Sequence, residues 1–133
     1  MPLDPWPKTP RSYSLPPNYG SMPGRVGCEM DTWAHLVSDV SNEAAKTPVK
    51  INQDANIFAT QLSADAGRPL PLASGRQAYL QCMEGAAAVA LGAETVRLVQ
   101  HDALRVRAGA ADALLVTAGE EGAHVLVVEM AAA

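Results

Sequence analysis

The hydrophobic positions along this chain settle into a period of two from Val49 onward. Val49 and Ile51 alternate with Lys50 and Asn52, and after a break at Gln53-Asp54 the pattern resumes over 56–62, with Ile57, Ala59 and Gln61 opposed to Phe58, Thr60 and Leu62. A period of two sends alternate side chains to opposite faces of a strand. The strongest stretch is 76–92, RQAYLQCMEGAAAVALG, which reads as a strand from Gln77 to Met83, a tight turn at Glu84-Gly85-Ala86 and a second strand through Leu91. Short apolar runs then recur over 95–99, 103–106, 113–117 and 124–130, separated by Gly-Ala, His-Asp, Ala-Gly and Gly-Glu-Glu-Gly. That spacing predicts an all-β sandwich or small barrel.

Upstream the pattern is less regular. Trp33, Leu36, Val37 and Val40 fall at helical spacing behind an Asp31-Thr32 cap, whereas Trp33, His35 and Val37 also alternate as in a strand. Residues 41–48 read as a polar loop. Residues 63–75 carry Asp65-Ala66-Gly67, Pro69 and Pro71, the signature of a turn followed by an irregular or edge passage. Residues 1–25 hold seven of the ten prolines. Proline fixes φ and removes a backbone donor, so this segment is expected to run extended with polyproline character. Trp6, Tyr13, Leu15 and Tyr19 are interleaved with those prolines. Solvated linkers rarely carry aromatics in this way, and the four residues are candidate contacts of an arm lying against its own surface or a partner's. The expected organisation is an arm and connecting segment over 1–48 and one all-β domain over 49–133.

Composition narrows the function classes. A chain of 133 residues suffices for one domain with a real core. Phe58 is the sole phenylalanine, so that core must be built from Val, Leu and Ala. The net charge of -4 gives no footprint for nucleic acid, and the whole acidic excess falls after residue 50, where nine acids meet five arginines. No apolar run reaches the roughly 18 residues of a spanning helix, and the N-terminus lacks signal-peptide order. The default expectation is a soluble intracellular compartment, or an organelle if a transit peptide has been removed. Cys28 and Cys82 are far apart and are expected as buried or free thiols rather than a secreted staple framework or a zinc site.

The order of these pieces resembles a known family. QAYLQCMEG, a hairpin across Gly92-Ala93 and HDALRVRAG look like the cupin jelly roll. More narrowly, TPRSYSLPPNYGS, WAHLVSD, VKINQDANIFATQL and GRQAYLQCMEGAAAV resemble, in that order, the interdomain linker and C-terminal cupin domain of the pirin family, which includes quercetin dioxygenase-like bicupins. The resemblance favours a strand at Trp33 and implies a single cupin jelly-roll barrel preceded by an extended Pro-rich arm. It also implies where a metal would sit, held by three imidazoles and a carboxylate. Counting back from Gly85, the carboxylate position falls on Ala78 and two imidazole positions fall near Pro71 and Ala73, while the third imidazole position is Asp112. None of the four is a histidine, and none matches its expected ligand. In the family the chemistry belongs to the N-terminal cupin, and this chain resembles the second half.

Three histidines remain, His35, His101 and His124, with no pair at ligand spacing. His101-Asp102 is expected to serve a turn, with Asp102 bonding nearby backbone. On the strand Ala78, Leu80 and Cys82 share one face, so Cys82 is expected to point into the barrel as a small hydrophobe. Glu120-Glu121 between two glycines reads as a solvated turn. No nucleophile motif and no phosphate-binding glycine loop is present. The expectation is a non-catalytic structural or interaction module without a cofactor, binding a protein partner or forming a homo-oligomer, not nucleic acid, and not membrane-spanning. The alternative is a small-molecule-binding or metal-dependent cupin enzyme acting through the barrel cavity, with a metal assembled from His35, His101 or His124.

Overall fold

The computed structural model describes residues 30–108 and 112–132. Within them the chain forms eight strands and no helix: β1 (Trp33–Asp39), β2 (Val49–Ile51), β3 (Ala55–Leu62), β4 (Gly67–Leu72), β5 (Arg76–Leu91), β6 (Glu94–Val99), β7 (Ala103–Arg107) and β8 (Asp112–Ala131). The spine is an antiparallel ladder between the two longest, β5 and β8, which pair from Arg76 opposite Ala131 to Ala90 opposite Leu115. Midway both strands bend, and each exchanges its outer neighbour. The N-terminal part of β5 pairs with β7 and its C-terminal part with β6. Likewise β8 pairs first with β4 and then with β3.

The result is two layers that share their central strands. The larger runs β2-β1-β3-β8-β5-β7, the smaller β4-β8-β5-β6. Strand alternation fills the space between them. Leu62, Ala78, Leu80, Cys82, Val125 and Val127 come from the larger layer, and they meet Leu72, Ala87, Val89, Leu98, Leu114 and Val116 from the smaller. Such strands, apolar on the inner parity and joined at a corner by bends, make the all-β sandwich that the sequence pattern predicts and the jelly roll that the family resemblance implies.

The corner corrects two sequence-level expectations. The turn placed at Glu84-Gly85-Ala86 is not a hairpin, because β5 continues through it as one strand of 16 residues. The ladder steps from Cys82 opposite Val125 to Glu84 opposite His124, leaving Met83 extra, and then from Gly85 opposite Ala123 to Ala87 opposite Ala118. Ala86 therefore faces the four residues Gly119–Gly122, so Glu120 and Glu121 lie on a bulge of one continuous β8 and not in a turn between two strands. Bulges and turns draw on the same local chemistry, a glycine at positive φ, which is why sequence punctuation confuses them. Gly85 has φ 74° and Gly122 φ 81°. A Cβ on Gly85 would run into the carbonyl oxygen of Gly122, and one on Gly122 would sit 2.6 Å from the carbonyl oxygen of Leu62.

At the N-terminal side, β1 is a strand. Trp33 lies opposite Thr60 on β3, and Val37 pairs in parallel with Val49 on β2. The sheet thus starts before residue 49, where the sequence pattern places its first strand. Asp31, at φ 61°, caps a strand end rather than a helix: its carboxylate accepts the backbone N–H of Ser63 at 2.7 Å and the Ser63 hydroxyl. The loop 41–48 is gathered by Lys50, whose Nζ donates to the carbonyls of Asn42 and Ala45 and to the Ser38 hydroxyl.

Candidate functional site

The inner parity of β5 runs Arg76, Ala78, Leu80, Cys82, and that of β8 runs Val125, Val127, Glu129. Ala78, in the expected carboxylate position, is 0% exposed and packs in the apolar core beside Leu80 and Cys82. Pro71 sits on β4 opposite Ala113, Ala73 lies in the connection from β4 to β5, and Asp112 opens β8 opposite Leu72. Pro71, Ala73 and Ala78 offer no side-chain donor. Among the described residues no group of three or more His, Cys, Asp or Glu side chains is placed to hold a metal ion. The residues present do not fit a cupin metal.

A polar chain occupies the same inner end of the sandwich. Ala78 lies opposite Glu129, and Glu129 opposite Asn56. Glu129 receives Arg76 Nε at 3.0 Å and Nη2 at 2.6 Å, and Asn56 Nδ2 at 3.0 Å. Arg76 Nη1 also reaches Asp54 at 2.8 Å. These bonds hold the guanidinium pKa above its ordinary value, the Glu129 hydrogen bonds contributing most. His35 continues the chain: Asn56 turns its amide N–H toward Glu129, so its oxygen accepts from His35 Nε2 at 2.8 Å. The His35 ring stacks on Phe58 with centroids 4.3 Å apart. The Glu129 carboxylate is therefore held by a two-pronged guanidinium clamp. Nothing in the spacing of residues 35, 54, 56, 76 and 129 announces this network. The usable signal was opposite charges, Arg76 and Glu129, on the inner parity of two strongly apolar strands.

The other histidines lie elsewhere. His101, at φ 73°, sits in the β6–β7 turn, and its backbone N–H donates to the Cys82 carbonyl at 2.6 Å. Asp102 serves that turn as expected, accepting the Val99 N–H at 3.0 Å. His124 pairs between Gln61 and Glu84 on the outer side of the larger layer, where these residues and Met30 line a cleft of about 250 Å³. A second, open groove of about 600 Å³ crosses the outside of the smaller layer over Ala86, Ala88 and Thr117, with Arg97 on one flank and Glu120 and Glu121 on the other. Cys82 is a free, fully buried thiol in the core. Burial pushes its pKa up, and nearby Asp102 adds to the effect. Trp6, Tyr13, Leu15, Tyr19 and Cys28 lie outside the described residues.

A family model described as the quercetinase C-terminal cupin domain matches residues 39–130. The chain belongs to this family. A search of curated proteins returns no match. Solved cupins share the fold. Escherichia coli pirin YhhW in complex with nickel(II) superposes with a TM-score of 0.63 at 16% identity, over 79% of this chain and 42% of that one. The Schizosaccharomyces pombe Cnp3 cupin domain gives 0.54 at 12% identity, over 74% and 63%. KdgF from a Halomonas species gives 0.52 at 15%, over 76% and 78%. This cupin thus spans less than two thirds of the Cnp3 chain and less than half of the pirin chain. Among the described residues no helix is long and apolar enough to cross a membrane.

Proposed function

We propose that this pirin-like cupin is a non-catalytic module that works by holding a protein partner or a second copy of itself. The observation that carries this reading is the inner end of the β5–β8 ladder. Ala78 stands where the family pattern puts a metal carboxylate, and the carboxylate opposite it, Glu129, is clamped by Arg76. An enzyme of this fold needs open coordination positions at that depth. Here the space is closed by hydrocarbon and by a satisfied ion pair. What the fold retains is surface, including exposed Tyr79 and Met83 on the larger layer and Val96, Val99 and Leu115 on the smaller. The acidic balance of the second part of the chain favours protein over nucleic acid as the partner.

The second reading is a metal-dependent or small-molecule-binding cupin. The nickel(II) complex of the similar E. coli pirin favours it. Metal analysis of the purified full chain, before and after incubation with nickel(II), iron(II) and zinc(II), separates the two. The module reading expects no stoichiometric metal to survive desalting. Stoichiometric metal that is lost on His35→Ala, His101→Ala or His124→Ala would overturn it.

A further inference from the structure

We propose that the outer edge of β6 pairs antiparallel with β6 of a second copy, about a two-fold axis through Val96. This deepens the module reading and rests on it.

Strand β6 ends the smaller layer and, among the described residues, pairs only with β5. Its ladder has a fixed phase. The two-residue loop Gly92-Ala93, with Gly92 at φ 61°, makes Leu91 and Glu94 the hydrogen-bonded pair that closes a hairpin. Hydrogen-bonded and non-hydrogen-bonded pairs alternate from there. Glu94, Val96 and Leu98 therefore bond to β5, while Thr95, Arg97 and Val99 turn their N–H and C=O groups away. The far end of the strand agrees independently: the Val99 N–H is taken by the Asp102 carboxylate at 3.0 Å, and its carbonyl by the Asp102 N–H at 2.9 Å. That leaves Thr95 and Arg97 as the residues that present backbone donors and acceptors at the edge.

Those two residues flank Val96, so the edge is self-complementary and a second copy satisfies it in a single register. In a two-fold antiparallel pair centred on Val96, Thr95 meets Arg97 of the second copy and Arg97 meets its Thr95. Each is a hydrogen-bonded pair, which gives four new ladder bonds with none left over. Val96 then meets its own counterpart in the close, non-hydrogen-bonded position. Its side chain, 41% exposed in the single chain, gains a β-branched partner there. The other edges do not offer this fit. Strand β4 carries Pro69 and Pro71, β2 has three residues, and β7 places Arg105 and Arg107 along its exposed side. A six-residue edge is small for an interface, so the pair should be weak and concentration-dependent.

The register supplies the test. Facing residues in a non-hydrogen-bonded pair lie about 4.5 Å apart at Cα, within reach of a disulfide. In the full chain with Cys28→Ser, Val96→Cys should cross-link to a dimer under mild diamide oxidation and revert with dithiothreitol. Thr95→Cys and Arg97→Cys alone should cross-link at least tenfold less, and a mixture of the two should cross-link with each other. Thr95→Pro removes only an outward N–H, so it should abolish self-association in sedimentation while circular dichroism stays native. Equal cross-linking at all three positions, or none at Val96, overturns the proposal. So does a dimer that persists in Thr95→Pro. A sedimenting dimer with no Val96 cross-link rules out this edge yet leaves the module reading standing, whereas stoichiometric metal strikes that reading instead.

Discussion

Arg76 and Glu129, 53 residues apart in sequence, form a two-pronged ion pair across the inner end of β5 and β8, with bonds of 3.0 and 2.6 Å. Their side chains are 18% and 13% exposed, so the pair is shielded but not sealed. Arg76→Ala leaves a half-buried carboxylate with Asn56 as its remaining side-chain donor. The expected loss is about 2 kcal/mol, the scale of hydrogen bonds to a charged group. The double variant Arg76→Met/Glu129→Leu should recover most of it, because an apolar pair of similar size leaves no charge stranded. Urea unfolding of the three proteins measures both effects, and a double variant weaker than Arg76→Ala would refute this account.

The glycines at positive φ should separate by what surrounds them. Gly92 has φ 61° and open space about it, so Gly92→Ala should cost about 1 kcal/mol, the left-handed backbone alone. Gly85→Ala adds a collision with the Gly122 backbone, and its cost should rise to about 3 kcal/mol. Thermal melts of the two variants give the comparison directly.

Asp31 makes stability depend on pH in a definite direction. Hydrogen bonds from the Ser63 backbone, and then from its hydroxyl, hold the Asp31 carboxyl below its ordinary pKa, with Arg68 adding to the effect. A depressed carboxylate pKa contributes stability above the unfolded value, and that stability is lost as pH falls through the folded value. Wild type should therefore exceed Asp31→Ala near pH 6, with the gap closing as the pH drops below the ordinary carboxylate range. Denaturant midpoints at pH 6 and pH 2.5 test this, and a gap that is constant across that range contradicts it.

Cys82 should be chemically silent in the folded protein. It is 0% exposed with its pKa raised, and its Sγ lies 3.4 Å from the Glu84 carbonyl oxygen. In a Cys28→Ser background, iodoacetamide should modify it only at denaturant concentrations that unfold the chain. Mass spectrometry across an unfolding titration provides the measurement, and native-state alkylation within minutes would show that the corner opens.

The fold was legible where one layer sufficed to explain the pattern. β3 alternates, β6 and β7 read as short apolar runs between turn residues, and all three strands appear where those patterns place them. β1 was ambiguous because Trp33, Leu36, Val37 and Val40 satisfy a helix as well as a strand, and the decision came from pairing with β3, which lies outside the segment. β5 and β8 were cut in two for a different reason. At Gly85 and Gly122 the chain adopts the backbone of a turn without reversing direction, and only the partner strand distinguishes the two outcomes. The site was legible in part. The family pattern singles out Ala78 as the expected carboxylate position, but the clamp of Arg76 on Glu129, with Asp54 and Asn56, joins residues up to 73 positions apart.

The sharing of β5 and β8 between both layers also determines how this molecule comes apart. A sandwich built of separate sheets can slide or gape along its seam, with one sheet fraying while the other holds. Here the seam is covalent: the same two backbones run through each layer, and loosening either one withdraws hydrogen bonds from both. Amide protons of β3 and β4, which never pair with one another in the ladder, should exchange with solvent in a single concerted event, because both strands lean on the same β8 backbone.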